Sequence, residues 1–578
     1  MNILGISAFN HNSACCLIQD GRLVAAAEEE RFSRIKHDAG LPWRAFQFCL
    51  DQGKIDLTQV DCIAYSEKPE LKRSRQLWMD PEISLSGPTD QQQLTQLFHD
   101  RLGYEGLVKF TDHHMAHAAS TYYFSSFSDA AVLIADGVGE WSTTSFYRGS
   151  GNQLTLLDEV RFPHSLGLFY STITAYLGFD VIDGESKVMG LASYGKPRYV
   201  EKLRPLIQLT DTVQFTLKTE YFDFCKGGHR MYSDLMVALL DQPPRIPGTE
   251  LTEFHHDLAH SAQVLLEESL LSLARSLHQL APSPNLCLAG GVALNCVANS
   301  RILREGPYEN IFIQPAAYDA GGALGAAVVA ALELGEARPA PMTHASLGPS
   351  FKHGEVAKLV EASGVAHISC EADQSGLLDK VAQRLADGKI IAWFQGAMEF
   401  GPRALGNRSI LADPRVPDMQ SRINRLIKKR EDFRPFAPVV LSTESQNWFD
   451  IDHPSPYMLE TFPVKSPQDL PAITHVDGSA RVQTVDESNG LYYSLLKQFH
   501  ERTGCPVLLN TSMNMKDEPI VCSPLDAIRF FVRSGVDTLV LEDRIIDKEA
   551  IPSQWKLLAP LTGLTNSPKV ASQVYTFF

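Results

Sequence analysis

NILGISAFNHNSACCLIQDGRLVAAAEE, residues 2–29, contains three short apolar segments separated by polar turn residues. The segments NILGISAF, SACCLI and RLVAAAEE are typical of strands, and Gln19-Asp20-Gly21-Arg22 between the last two is a strong hairpin signal. This stretch therefore predicts a meander of three strands at the start of the chain.

A second meander is predicted near residue 130, where AAVLIAD, STTSFYRG and LTLLDEV follow one another with Gly-Ser-Gly at a turn. A repeated strand trio followed by helices predicts an α/β (α+β) protein with a duplicated fold of the actin and sugar-kinase type, which binds nucleotide between its halves. The proline-rich stretch at residues 333–350 marks the main domain boundary. The predicted domains are residues 1–345 and 351–578.

The composition is that of a globular protein, with 44% hydrophobic and 21% charged residues. The formal net charge of -16 argues against a general nucleic-acid or anionic-membrane partner, because such surfaces attract basic proteins. The ten cysteines include no C-x-x-C pair, and the amino terminus lacks a basic leader segment. We expect a cytoplasmic protein without nucleic-acid or membrane partners. The sequence leaves the oligomeric state open, a homodimer included.

Two segments combine an apolar strand with a glycine pair at the start of a helix. NLCLAGGVALN contains Gly290 and Gly291, and NIFIQPAAYDAGGALG contains Gly321 and Gly322. Glycines at a helix start let backbone N–H groups approach a phosphate, and the helix dipole favours the anion. Each segment alone is equally typical of a close-packed turn between strand and helix. Both in one duplicated unit favour a nucleotide site.

Four side chains are candidates for a metal site. His113 and His117 in TDHHMAHAAS are four residues apart, so on a helix they share a face. Asp136 ends an apolar run, where α/β sheets place ligands, and Asp319 precedes the second glycine pair. Ordinary helix-start histidines and an N-cap aspartate are the alternatives. Together the four suit a divalent transition metal with open positions for nucleotide oxygens.

A basic run lies in the second domain. Residues 403–434 contain nine lysines and arginines against four acidic residues, in an otherwise acidic chain. Within SRINRLIKKRED, the apolar Ile423, Leu426 and Ile427 predict a helix with one face in a core and the basic groups on other faces. Solvated surface charge and a nucleic-acid patch are the alternatives. We interpret the run as a binding site for a small anion.

The chain also resembles the O-carbamoyltransferase family of nodulation protein U and the cephem and tobramycin carbamoyltransferases. The resemblance lies in GISAFNHNSA, AAAEEERFSRIKHD, DHHMAHAAS, GESKVMGLASYGKP, LAGGVALN, YDAGGALGAA, GPRALGNRSILADP, FRPFAPVV, ARVQTV and LLNTSMN, and so covers nearly the whole chain. It implies an actin-like ATPase domain that forms carbamoyl adenylate and transfers the carbamoyl group. A YrdC-like α/β domain that uses carbamoyl phosphate would follow.

The resemblance also implies site residues. It implies Fe²⁺, or another divalent transition metal, bound by His113, His117, Asp136 and Asp319. It implies nucleotide binding by Gly290, Gly291 and Asn295, to which we add as candidates Gly137, Lys187, Val292, Gly321 and Gly322. It implies binding of carbamoyl phosphate by Arg403, Lys428, Arg434, Arg481 and Ser512. Forked guanidinium groups match phosphate oxygens and stabilise the charge on a departing phosphate.

The predicted function is ATP-dependent O-carbamoylation of a small secondary metabolite. Carbamoyl phosphate would give carbamate, carbamate would react with ATP, accompanied by Mg²⁺, to carbamoyl adenylate, and a hydroxyl would take the carbamoyl group. The catalytic candidates are His11, to position or deprotonate the hydroxyl, Asn12, and Lys36, to neutralise phosphate charge. A turn residue and solvated lysine are the alternatives. Many family members have aspartate where this chain has Asn12, so the role of that position stays open.

Other functions would use similar domains. A sugar kinase would share the nucleotide cleft but would leave residues 351–578 without a role. A tRNA threonylcarbamoyladenosine-type enzyme would use both domain types, but the acidic chain offers no evident tRNA surface. A non-catalytic actin-like scaffold would need neither the metal set nor the arginines. The sequence does not identify the acceptor.

Overall fold

The computed structural model describes residues 1–83, 87–226, 230–553 and 555. Contacts within the chain divide it into two units. The first comprises Met1–Glu29 and His37–Thr343, and the second comprises Glu30–Lys36 together with the described residues from His344 onward. The division after Thr343 falls inside the proline-rich stretch. The short segment Glu30–Lys36 departs from the predicted continuous first domain.

The strands of the first unit are β1 Asn2–Ser7, β2 Ala14–Gln19, β3 Arg22–Glu28, β4 Cys62–Tyr65, β5 Leu107–Phe110, β6 Asp129–Ala135, β7 Ser142–Ser150, β8 Gln153–Arg161, β9 Ile207–Leu209, β10 Phe215–Leu217, β11 Asn285–Ala289 and β12 Asn310–Ile313. Two five-stranded sheets have the orders β3-β2-β1-β4-β5 and β8-β7-β6-β11-β12. In each, an antiparallel meander is extended by two parallel strands beside its first strand. The identical topology confirms the duplicated α/β fold that the two meanders predict.

Helices cover these sheets. They are α1 Glu29–Ser33, which crosses from the first unit into the second, α2 Trp43–Gly53, α3 Pro69–Met79, α4 Gln91–Leu102, α5 His113–Tyr122, α6 Leu166–Tyr176, α7 Glu185–Ala192, α8 Val200–Leu203, α9 Asp234–Leu240, α10 Glu253–Leu280, α11 Cys296–Glu305 and α12 Gly322–Glu333. Among the described residues, none of the helices combines the length and the apolar character that a bilayer crossing requires.

Helices α5 and α12 approach each other closely. A Cβ atom on Gly325 would lie 1.7 Å from the backbone oxygen of Ala116 in α5. A Cβ atom on Gly5 in β1 would lie 2.0 Å from the backbone oxygen of Ala323 in α12. Because only hydrogen fits at both glycines, α12 packs directly on α5 and on the first sheet. This packing brings the start of α12, and Asp319 just before it, next to the histidine helix.

The strands of the second unit are β13 Ile368–Ser369, β14 Ile391–Phe394, β15 Arg408–Ala412, β16 Ala437–Leu441, β17 Thr461–Pro463, β18 Ser479–Arg481, β19 Gln483–Val485, β20 Val507–Ser512, β21 Thr538–Leu541 and β22 Arg544–Asp547. Its helices are α13 His353–Ser363, α14 Gln374–Ala386, α15 Met419–Arg422, α16 Ser445–Trp448, α17 Gly490–Thr503 and α18 Pro524–Arg533. The main sheet has eight strands in the order β13-β22-β21-β14-β15-β20-β16-β19, and its core includes the buried Trp393.

The helix in the basic run is less regular than predicted. After α15 the chain continues as a π-helix over Ile423–Lys428. Ile423 and Ile427 are buried as predicted, but Leu426 is 55% exposed, so its assignment to the core face is wrong. The wider turn of a π-helix rotates the following side chains away from their α-helical positions. Lys428 is buried instead.

We predict that Gly325→Ala destabilises the first unit by about 3 kcal/mol, because the added methyl group would overlap the backbone oxygen of Ala116. The matched control is Gly354→Ala in α13, where a Cβ atom meets nothing within 4 Å. Thermal unfolding followed by circular dichroism should show a lower midpoint for Gly325→Ala and no decrease for the control. Equal midpoints would contradict the close contact of α5 with α12.

Candidate active site

Four side chains of the first unit converge on one point. His113 and His117 lie one turn apart on α5, Asp136 follows β6, and Asp319 begins the 3₁₀ turn before α12. One potential ligand atom from each lies within 4.8 Å of the other three, and all four residues are buried. The structure therefore brings together the set that the sequence suggests, while their role as metal ligands stays a prediction.

The distances in this cluster suit a shared ion. Nε2 of His113 lies 3.1 Å from Nε2 of His117, 3.5 Å from Oδ2 of Asp136 and 3.6 Å from Oδ1 of Asp319. Ligand atoms about 2.1 Å from one metal are typically separated by about 3 to 4 Å. Oδ2 of Asp136 is buried and has no hydrogen-bond partner among the described residues. The residues present therefore fit a divalent transition metal.

The charges in the cluster are coupled. Burial disfavours the imidazolium form of His113, but the carboxylates of Asp136 and Asp319 outweigh burial and raise the pKa of His113 to about 10. Burial, followed by the charge on His113, lowers the pKa of His117 to about 4. The two carboxylates thus favour the charged form of the His113 imidazole, and they would equally favour a bound cation.

Glu140 holds the start of the histidine helix, and sequence reasoning missed it. Its carboxylate accepts hydrogen bonds from the backbone N–H of His113 at 2.9 and 3.1 Å and from the backbone N–H of Lys68 at 2.9 Å. Burial raises the pKa of Glu140 to about 7. The N–H of His113 is one that a helix leaves without an internal partner. The only sequence signal was an acidic residue four positions after Asp136, which does not point to α5.

The first turn of the chain lies beside the cluster. Nε2 of His11 is 3.8 Å from Oδ2 of Asp319, and Nδ1 of His11 is 2.9 Å from Oδ1 of Asn12. The same amide oxygen is 3.1 Å from Nδ1 of His37, whose Nε2 lies 3.1 Å from Asp183. Asn12 therefore links two imidazoles, one of which faces the predicted metal ligands. The sequence did not single out His37 or Asp183.

The glycine turn after β11 is connected to the cluster through Asp136. The N–H of Gly291 donates to Oδ1 of Asp136 at 2.8 Å, while Oδ2 faces the imidazole of His113. Gly290 has a φ angle of +90°, and a Cβ atom there would lie 2.3 Å from the backbone oxygen of Ala135. The backbone thus requires glycine at position 290. Asp136 thus connects the predicted nucleotide-binding turn to the predicted metal site, which the sequence suggested separately.

The other nucleotide candidates surround this turn. Asn295 caps α11 and exchanges two hydrogen bonds with Gln263, so contacts within the protein already account for its side chain. A Cβ atom on Gly321 would overlap a backbone oxygen, which favours close packing as the reason for that glycine. The remaining candidates are Val292 within the turn, Gly137 beside Asp136, Gly322 at the start of α12, and Lys187 in α7. Their binding of nucleotide stays a prediction.

A cluster of cations occupies the second unit. Nζ of the buried Lys428 donates to Oγ of Ser512 at 3.2 Å. Burial holds the pKa of Lys428 well below its usual range. The positive charges of Arg430, Arg434 and Lys36 lower this pKa further. A bound anion would favour the charged ammonium form. Lys36 belongs to the second unit and not to the predicted first domain.

Arg430 is a member of the cluster that the predicted anion site omitted. Burial, together with the charges on Arg434 and Arg481, holds the pKa of Arg430 well below its usual range. Its guanidinium lies 4.8 Å from the centre of the Phe436 ring. Arg403 lies in the loop between β14 and β15. Mutually repelling cations, of which Lys428 is buried, are typical of a site that binds an anion, and this is what the basic run predicts.

Comparison with known families defines the class of protein. Residues 2–328 match the family described as Carbamoyltransferase N-terminus, and residues 382–548 match the family described as Carbamoyltransferase C-terminus. This protein belongs to the carbamoyltransferase family and is a transferase enzyme. The family that the motifs resembled is thereby confirmed.

Several curated relatives are similar over most of the chain. Nodulation protein NolNO of Sinorhizobium fredii is 37% identical over 569 residues, which cover 96% of this chain and 81% of that protein. The 3'-hydroxymethylcephem-O-carbamoyltransferase of Amycolatopsis lactamdurans is 29% identical over 545 residues, covering 92% of this chain and 97% of that protein. A Synechocystis protein is 44% identical over 605 residues, covering 96% and 98%.

We predict that His117→Ala lowers the bound metal at least tenfold without unfolding the protein, because it removes one of four converging ligand atoms. The matched control is His114→Asn, the neighbouring buried histidine on α5, whose Nδ1 lies 2.7 Å from Oγ of Ser145. Elemental analysis of protein purified under identical conditions measures the metal. Equal metal content in the two variants would show that His117 is not a ligand.

Proposed function

We propose that this protein is an ATP-dependent O-carbamoyltransferase that uses carbamoyl phosphate and a small hydroxylated secondary metabolite. The hydrogen bond from Gly291 to Asp136 carries the proposal, because it joins a phosphate-binding type of turn to a metal-type cluster. The cation cluster around Lys428 supports a phosphorylated donor. Family membership supports carbamoyl as the group that is transferred.

The reaction has three balanced steps. Water and carbamoyl phosphate give carbamate and inorganic phosphate in the second unit. A carbamate oxygen then attacks the α-phosphorus of ATP in the first unit, which forms carbamoyl adenylate and releases pyrophosphate. Finally the acceptor hydroxyl attacks the carbamoyl carbon, loses its proton and releases AMP. The adenylate is a reactive mixed anhydride, so the second step activates the carbamoyl group for the third.

Residues of the first unit bind and orient the nucleotide. The turn at Gly290 and Gly291 lets the phosphates approach the backbone, because neither position carries a side chain. The N–H groups of these two glycines donate within the protein, to Ala317 and to Asp136. The imidazoles and carboxylates of the cluster would hold a divalent transition metal, for which we propose Fe²⁺, and Mg²⁺ accompanies ATP. When bound, the metal would neutralise phosphate charge and fix the position of the nucleotide. Lys187 supplies a further positive charge.

Residues of the second unit bind carbamoyl phosphate. The guanidinium groups of Arg403, Arg434 and Arg481 pair with phosphate oxygens, and Lys428 together with the hydroxyl of Ser512 completes the site. As phosphate departs, its negative charge grows, and these cations stabilise it most at that point. Lys36 adds to the positive potential around Lys428.

We place the acceptor hydroxyl next to the cluster of the first unit. His11 lies 3.8 Å from Asp319, and hydrogen bonding to Asn12 fixes its ring orientation. We propose that His11 positions the hydroxyl or takes its proton. The name of the related 3'-hydroxymethylcephem-O-carbamoyltransferase, which contains a hydroxymethyl acceptor, supports a small hydroxylated metabolite as the acceptor.

Isotope exchange tests the adenylate step. Labelled pyrophosphate should exchange into ATP only when both the enzyme and carbamoyl phosphate are present, because the second step is reversible. A sugar kinase would give no such exchange, and a non-catalytic scaffold would give none either. Absence of exchange under conditions where carbamoylated product forms would rule out the adenylate.

We predict that Arg434→Ala raises the KM for carbamoyl phosphate at least tenfold and leaves ATP binding unchanged, because the two sites lie in different units. The matched control is Arg425→Ala in the same basic run, whose exposed side chain pairs with Asp432. Steady-state kinetics and nucleotide titration measure the two quantities. A parallel loss of ATP affinity in Arg434→Ala would contradict separate sites.

A further inference from the structure

The segment Glu30–Lys36 stands apart from the residues on either side of it. It is the only described segment before His344 that is assigned to the second unit. Arg31 is 3% exposed, and burial lowers the pKa of Arg34. A buried and a half-buried arginine near the start of the chain therefore need partners in the second unit.

These arginines bind backbone oxygens of two loops. Nη2 of Arg31 donates to the backbone oxygen of Gly401 at 2.8 Å. Nη1 of Arg34 donates to the oxygen of Ile520 at 2.6 Å, and Nη2 of Arg34 donates to the oxygen of Pro519 at 2.7 Å. The planar fork of Arg34 thus holds two successive carbonyl groups, a contact that lysine cannot reproduce.

Each of the two loops carries part of the proposed carbamoyl phosphate site. Gly401 lies two residues before Arg403. Pro519 lies in the loop after Ser512, which is closed where the N–H of Val521 donates to the oxygen of Met513 at 3.0 Å. Inside that loop, Asn514 accepts a hydrogen bond from Nζ of Lys428 at 2.7 Å.

A chain of direct contacts therefore leads from the segment to the cations. Arg34 holds the outer part of the loop at Pro519, and the amide of Asn514 donates to the oxygen of Glu518 at 2.8 Å. The oxygen of the same amide, Oδ1 of Asn514, accepts the hydrogen bond from Nζ of Lys428. Displacement of Pro519 would move Glu518, then Asn514 and then Lys428. Loop geometry thus depends on a residue distant in sequence.

We infer that Arg31 and Arg34 are positioning residues of the anion site, Arg31 for the loop of Arg403 and Arg34 for the loop that holds Lys428. The inference rests on the proposed function, since the ligand of that site is taken to be carbamoyl phosphate. Neither arginine is among the residues proposed to bind the ligand. They set the distance between the two loops that bind it, so they act on affinity and not on the chemistry of the nucleotide site.

The test measures binding of inorganic phosphate by isothermal titration calorimetry to the full chain. Arg34→Lys keeps the charge but loses the fork, and should weaken phosphate binding at least fivefold. Arg34→Ala should weaken it more. The KM for carbamoyl phosphate should rise by the same factor, whereas the KM for ATP and the metal content should not change. Arg529→Ala is the matched control, because Arg529 also lies 3.9 Å from Asp526 but binds no loop carbonyl within the part of the chain that the structure describes.

A double variant distinguishes positioning from simple stabilisation. If Arg34 acts through Lys428, the change Arg34→Lys should have less than a twofold effect on phosphate binding in a Lys428→Met background. Equal effects of Arg34→Lys in both backgrounds would overturn the inference. So would a folded Arg34→Lys protein with lower thermal stability and unchanged phosphate affinity.

Failure of the proposed function gives a different result. If the cation cluster does not bind carbamoyl phosphate, Arg434→Ala will leave phosphate affinity unchanged, and the inference falls with the site. If Arg434→Ala loses phosphate binding while both Arg34 variants keep it, the anion site stands and only the positioning role is overturned.

Discussion

The contact between Gly325 and Ala116 sets the geometry on which the first unit depends. No side chain fits between α12 and α5 at that point, so the two helices meet backbone to backbone. One helix carries both histidines, and the other follows directly after Asp319. A methyl group at this position would separate ligand atoms that lie less than 4.8 Å apart. The packing of α12 on α5 and the geometry of the four-residue cluster therefore both require glycine at position 325.

Positive charge and hydrogen bonds offset the free-energy cost of burying the two carboxylates of the four-residue cluster. Two carboxylates without solvent repel each other, and burying them is costly unless positive charge or hydrogen bonds compensate. His113 supplies charge, and the N–H of Gly291 supplies a hydrogen bond to Asp136. Glu140, from the same turn as Asp136, fixes the helix that carries the histidines. The site is thereby linked to the turn proposed to bind nucleotide.

In the second unit the clustered charges are positive instead of negative. The buried Lys428 and the half-buried Arg430 repel each other. Oxygens of Asn514 accept hydrogen bonds from Lys428, and Oδ1 of Asn424 accepts one from Arg430. Arginines from Glu30–Lys36 in turn hold the loop of Asn514 and the loop of Arg403. A domain boundary drawn as a single cut therefore misses a part of this unit. Glu30–Lys36 forms structural contacts within the second unit, as do the residues from His344 onward.

The sequence by itself determined the two meanders, the glycine turns and the residue types of both clusters, because strand patterns, turn chemistry and helix spacing are local. The sequence also indicated the carbamoyltransferase family, through motifs distributed over nearly the whole chain. Only the tertiary structure decided that Asp136 joins the glycine turn to His113 and that Glu140 binds the first N–H of α5. It also decided that Leu426 is exposed while Lys428 is buried, and that Lys36 lies in the second unit. Each of these depends on contacts between residues far apart in the chain or on a π-helical turn, and such contacts are set by how complete helices and sheets pack, which local sequence patterns do not specify.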